Sequence, residues 1–263
     1  MAETQPEAAF ATTSDAWLGG SLTLRQPLKG HRVGSDAALL AAAAPAAERL
    51  IDVGAGVGAV GLALLRRMQG SRADLVEIDP DLAALAAENA ATNGLAGRAR
   101  VIVADVTAGR SRRAGGLEDG KADLVVTNSP FFAADKVRPS PQPGRARAHV
   151  LAPSDQGGDL SPLAAWIVGS LALLAPGGRF VMIHRPDALA EILASVERRL
   201  GAVAILPIQP QPDAPAHRLL IAGIKGTRAP LRLLPALVLH DPSGAFTPRA
   251  EALHRGEMIL DWR

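Results

Sequence analysis

A chain of 263 residues, 48% of them hydrophobic, is long enough for one large domain or a domain with appendages. It holds no cysteine, which excludes disulfides and thiolate metal sites and suits a reducing, cytoplasmic setting. The formal net charge is only +2, no apolar run reaches the roughly 18 residues that span a bilayer, and the polar, acidic-leaning start is unlike a signal peptide, so no membrane association is expected.

Residues 1–14 read as a flexible tail, and residues 15–263 as a single domain without internal repeats. Over 15–34, turn-formers (Gly19, Gly20, Pro27, Gly30) interleave with Leu22 and Leu24, which predicts a small hairpin. Ser35 or Asp36 then caps an Ala/Leu helix that Pro45 ends. From residue 49 the pattern alternates: strand 50–53, helix 57–68, strand 73–78, and helix 82–91 stopped by Asn93-Gly94. Strands follow at 100–103 and 123–127. Residues 133–160, rich in Pro, Gly, Arg and Ser, read as a long functional or mobile loop. After it come helix 162–174, strand 180–183, helix 188–200, and an antiparallel pair at 202–208 and 219–224. Continuous apolar runs, each followed by a helical segment, indicate an α/β fold with a parallel sheet covered on both faces.

The first strand runs into Asp52-Val53-Gly54-Ala55-Gly56-Val57-Gly58. Side chains at Gly54, Gly56 and Gly58 would obstruct either a tight turn or a ligand approaching the backbone. The spacing differs from the G-x-G-x-x-G of dinucleotide sites, and no Gly-Lys-Ser/Thr follows as in a P-loop. Asp52 can accept hydrogen bonds from that loop or from a cationic amino group. An acid here would repel pyrophosphate but suits an amino-acid tail bearing a sulfonium, which favours S-adenosylmethionine over NAD. Glu77, at the end of the next strand, can accept both ribose hydroxyls, whereas Asp79-Pro80 reads as a helix cap. Asp105 closes the third strand and either accepts an adenine amino group or caps a turn. Ile78 and Val106, beside these carboxylates, complete the cofactor set together with Arg32. Ligands gather at the carboxyl ends of parallel strands, where Asp52, Glu77, Asp105 and Asn128 converge.

Asn128-Ser129-Pro130-Phe131 follows the fourth strand. The lone pair of an exocyclic amine is delocalised, and two hydrogen-bond acceptors on its N–H groups make the nitrogen more tetrahedral and nucleophilic. Asn128 Oδ1 and the Ser129 carbonyl are those acceptors, Pro130 stiffens the turn, and Phe131 stacks on the ring. With no Tyr, five Phe and three Trp in the chain, each aromatic counts.

These residues resemble class I S-adenosylmethionine-dependent methyltransferases, and within them the bacterial tRNA(Val) adenine-N6 methyltransferase family. Leu18-Gly19-Gly20, Gln26-Pro27, Gly30 through Leu40, Lys225 through Arg228, Leu237 through His240 and Phe246-Thr247 carry the narrower likeness. The resemblance spans residues 15–250. It implies a Rossmann-like, doubly wound, mostly parallel seven-stranded sheet with a terminal antiparallel hairpin, the segment 15–48 capping the cofactor site, and methylation of an adenine in tRNA. The family turn is usually Asn-Pro-Pro-Tyr, and its Gly-Tyr-Arg is Gly-His-Arg in this chain.

Two basic stretches bear on an RNA partner: Arg98, Arg100, Arg110, Arg112 and Arg113, and then Lys136, Arg138, Arg145 and Arg147, to which the RNA contacts are assigned. The alternative for either is a solvated face. The six histidines lack metal-ligand spacing with carboxylates, so no metal is expected. His31 either borders the cofactor or packs on the following helix. A protein glutamine N5-methyltransferase, a small-molecule O-methyltransferase and a non-enzymatic binding module are the competing functions. A monomer or homodimer is expected.

Overall fold

The computed structural model describes residues 11–30, 32–129 and 160–262. Strands β1 (Thr12–Trp17) and β2 (Leu22–Pro27) form the expected antiparallel hairpin. Leu18, Gly19 and Gly20 turn it with three successive positive φ angles. Thr12, Thr13 and Ser14 therefore belong to the hairpin, not to the tail assigned to residues 1–14.

The remaining elements run α1 (Ser35–Ala43), β3 (Arg49–Val53), α2 (Ala59–Arg67), β4 (Arg72–Glu77), α3 (Pro80–Thr92), β5 (Ala99–Val103), α4 (Gly109–Ala114) and β6 (Ala122–Thr127). Beyond residue 160 come α5 (Pro162–Leu173), β7 (Leu174–His184), α6 (Leu189–Val196), β8 (Leu200–Gln209), β9 (Arg218–Lys225), β10 (Arg232–Leu233), β11 (Leu237–Val238) and α7 (Pro248–His254). The main sheet has the order β10-β8-β9-β7-β6-β3-β4-β5, with β11 also on β8. Strands β3 to β7 pair in parallel, and β9 runs antiparallel to both β7 and β8. This is the expected seven-stranded sheet with its terminal antiparallel pair. Its strand count is nine, because β10 and β11, of two residues each, add on in parallel along β8. They give the outer strand hydrogen-bond partners it would otherwise lack.

Alternation along each strand sends side chains to opposite faces. Leu50, Leu75, Leu124 and Val126 join Leu39, Leu40, Leu62 and Leu64 of α1 and α2 in one core. Ile51, Val53, Val76, Val125 and Phe180 join Trp166, Ile167 and Ile192 of α5 and α6 in the other. Both faces are therefore covered, which is why the strands read as continuous apolar runs.

Helix ends depart from expectation at α1 and α6, while the cap expected for α3 is the one observed. The cap of α1 is Gly34, with no side-chain bond, and Asp36 instead accepts from Arg218 Nε at 2.8 Å. Helix α3 starts at Pro80, capped by Asp79, which accepts from the N–H groups of Asp81 and Leu82. Helix α6 stops at Val196, before a positive-φ turn at Arg198 into β8.

Candidate cofactor and acceptor site

Strand β3 is the switch point of the sheet: its chain continues to β4 on one side, while β6 lies on the other. Such points open a crevice beyond the carboxyl ends of the strands. The registers Val53↔Val76, Glu77↔Val103 and Val53↔Thr127 hold these ends level. They bring Gly54, Glu77, Ala104 and Asn128 to one rim.

The three loop glycines all adopt left-handed φ angles of 73°, 55° and 86°, which favour glycine. Their surroundings differ. A Cβ at Gly54 would come within 2.8 Å of the Trp166 ring, and one at Gly58 would press on Leu75, Ala86 and Leu62 at 3.2–3.4 Å. At Gly56 a Cβ would meet nothing within 4 Å. Gly54 and Gly58 thus serve packing, while Gly56 faces open space, as backbone approached by a ligand must. The Gly54 and Ala55 N–H groups donate to the Val76 carbonyl at 2.8 and 3.0 Å, which anchors the loop to β4.

Glu77 ties the other side of that loop. Its Oε2 accepts from Gly56 N at 2.8 Å, and its Oε1 accepts from Ile78 N at 2.8 Å and Asp79 N at 3.0 Å. Burial raises its pKa, opposed by these three N–H groups. A carboxylate offers about four acceptor positions. Accepting both ribose hydroxyls therefore requires Glu77 to release one backbone N–H. Beside it Ile78, an apolar side chain 38% exposed at the strand end, presents a surface suited to a flat ring.

Asp52 is 1% exposed, and its Oδ2 accepts from Gly61 N at 2.8 Å. Gly58, the N-cap of α2, has no side chain to cap with. Asp52, reaching from β3, does that job on the third helical N–H. Of the two partners foreseen for Asp52, this is neither the loop nor a bound amino group but the helix behind the loop. Burial pushes its pKa up to about 7, with the Glu77 charge adding and the Gly61 N–H opposing. Gly61 itself went unread in the sequence, although a Cβ there would lie 2.2 Å from Leu75 Cδ2.

Asp105 is half-buried and turns inward: its Oδ1 accepts from Thr107 N at 2.8 Å and Thr107 Oγ1 at 2.7 Å, the turn-capping alternative. Val106 is buried in the core, and its carbonyl accepts from Arg112 Nη1 at 2.7 Å, so any contact with a cofactor is through backbone. Arg32 Nη2 donates to Asp15 Oδ2 at 2.8 Å, which ties it to the hairpin.

On the acceptor side, Thr127 Oγ1 donates to the Val53 carbonyl at 2.8 Å and accepts from Trp166 Nε1 at 3.0 Å. This buried chain locks the ends of β3 and β6 to α5, directly beneath half-buried Asn128 and buried Ser129. Pro130, Phe131, His31, Lys136, Arg138, Arg145 and Arg147 lie outside the described residues. The first basic stretch is largely structural: Arg98 donates to the carbonyls of Met68 and Gln69, Arg100 pairs with Asp74, and buried Arg112 pairs with Asp119. Among the described residues no group of three or more His, Cys, Asp or Glu is placed to hold a metal ion, and no helix is long and apolar enough to cross a membrane.

A family model for the methyltransferase small domain matches residues 31–141, which contain the glycine loop, Glu77, Asp105 and the Asn128 turn. A tRNA1(Val) (adenine(37)-N6)-methyltransferase from Aeromonas hydrophila is 31% identical over 83% of this chain and 86% of its own length. The chain belongs to that tRNA1(Val) adenine-N6 methyltransferase family. Its Porphyromonas gingivalis relative of the same name is 28% identical over 82% of this chain and 84% of its own. A solved structure from Agrobacterium tumefaciens, described as a predicted O-methyltransferase, matches with TM-score 0.70 and 30% identity over 86% of this chain and 98% of its own. As a member of this family the chain is an S-adenosylmethionine-dependent methyltransferase. The residues present fit that cofactor: the open face at Gly56 and exposed Ile78 leave room where the loop and strand ends meet.

Proposed function

We propose that this enzyme methylates the exocyclic N6 of an adenine in tRNA or another structured RNA. The observation that carries the reading is the place of Asn128, level with the glycine loop at the crevice between β3 and β6. When bound, S-adenosylmethionine supplies an electrophilic methyl group on a sulfonium. Gly56 would let it approach the loop backbone, Glu77 would accept from the ribose, Ile78 would pack on the adenine ring, and Asp105 would border it. Asn128 Oδ1 and the Ser129 carbonyl accept from the two N–H groups of the target amine, which raises its nucleophilicity, and Phe131 stacks on the base. The methyl would pass from the sulfonium, which would be left as a neutral thioether, to the nitrogen, which would release one N–H proton to water. Rate then comes from in-line positioning and fixed acceptors. An adenine reached in this way must first be unstacked. The family relatives named for adenine-N6 methylation of tRNA support the acceptor.

Replacing Asn128 with Ala is expected to lower kcat by about 100-fold or more while the cofactor Kd, read by calorimetry, stays within about twofold of wild type. Equal loss of both would contradict the role given to Asn128.

A further inference from the structure

Asn89 in α3 and Asn93, the residue that caps its C-terminus, sit one turn apart and face β2. Each side-chain amide imitates a neighbouring strand. Asn93 Oδ1 accepts from Thr23 N at 2.9 Å, and its Nδ2 donates to Thr23 O at 2.7 Å. Asn89 Oδ1 accepts from Arg25 N at 2.7 Å, and its Nδ2 donates to Arg25 O at 2.9 Å. The outer edge of β2 is thus completed by side chains. The two rungs differ in their remaining bond. Asn93 Nδ2 returns to its own helix, at Asn89 O. Asn89 Nδ2 donates to Val57 O at 2.9 Å, the carbonyl between Gly56 and Gly58.

Asn89 is 1% exposed, so removing its amide strands two carbonyls and one N–H in a dry environment. The hairpin it holds also carries the entry to α1, because Gln26 Oε1 accepts from Val33 N at 2.9 Å and Gln26 Nε2 donates to Asp15. One amide therefore joins three pieces: the hairpin, helix α3 and the cofactor loop. We infer that Asn89 is a positioning residue for S-adenosylmethionine, fixing the shape of the glycine loop to the seating of the β1–β2 hairpin. This rests on the assignment of that loop to the cofactor.

Calorimetric titration of S-adenosylmethionine into wild type, Asn89→Ala, Asn93→Ala and Ile78→Asp, with thermal melts of each, tests it. Both asparagine variants are expected to melt lower, since each loses a rung. Only Asn89→Ala is expected to weaken cofactor binding, by about tenfold, with KM for the cofactor raised and kcat at saturation preserved. Asn93→Ala should bind within about twofold of wild type. Should Asn89→Ala fold poorly, Asn89→Asp keeps the size and the acceptor for Arg25 N–H but loses both donations, and it should show the same loss. Wild-type affinity in the Asn89 variants, or equal weakening in Asn93→Ala, overturns the inference. Ile78→Asp places a charge in the crevice and should weaken binding on its own. If it does while Asn89→Ala does not, the coupling alone fails. If Asn89→Ala weakens binding and Ile78→Asp does not, the coupling to the loop stands and the place given to Ile78 fails.

Discussion

Asp52 illustrates how a residue visible in sequence acquires a role the sequence does not display. An acid ahead of three glycines was legible as part of a cofactor loop. That it caps α2 was not, because the signal is the absence of a capping side chain at Gly58 together with a glycine at position 61 that lets β4 come close. The same holds for Arg32, whose partner Asp15 comes from the hairpin. Burial lifts the Asp52 pKa from an ordinary 3.8 to about 7, so the folded cofactor-free protein binds this proton more tightly than the unfolded chain does. The stability it contributes is present below about pH 4 and is lost as pH rises through about 7. Asp52→Asn keeps an acceptor for Gly61 N–H and removes the titration. Its Tm relative to wild type is expected to rise across that window by several degrees, while the loss of stability with rising pH from Glu77, whose pKa burial also raises, is common to both proteins and cancels in the difference. A difference flat in pH would contradict the burial account.

Among the elements, the central parallel strands β3, β4 and β6 were legible because both of their faces are largely buried and their runs are mostly apolar. Helix α4 and strands β10 and β11 were not, since six residues are too few to show a helical period and two too few to show an alternating one. Packing between elements was equally hidden. Gly169 of α5 lies so close to the turn after β5 that a Cβ would come within 2.2 Å of the Val106 carbonyl. That obstacle is backbone, held from the other side by Arg112. Gly169→Ala is expected to cost about 1–3 kcal/mol, seen as a lower urea midpoint with an unchanged m-value. An unchanged midpoint would show that α5 and the turn move apart freely.

For the whole molecule, a net charge of +2 hides an uneven distribution. Arg98, Arg100 and Arg112 have partners within the fold, and the expected RNA contacts stay with Lys136, Arg138, Arg145 and Arg147. Replacing these four with Ala is expected to weaken tRNA binding and flatten its dependence on salt, by about one unit of log–log slope for each phosphate no longer neutralised, with cofactor affinity unchanged. An unaltered slope would remove them from the RNA interface. The central claim is methyl transfer to adenine N6. Incubating the enzyme with radiolabelled S-adenosylmethionine and tRNA lacking endogenous methylation, followed by nucleoside analysis, tests it most directly. Label recovered in N6-methyladenosine, and absent with Asn128→Ala, is the predicted result. Unlabelled RNA from an enzyme that binds the cofactor would contradict it.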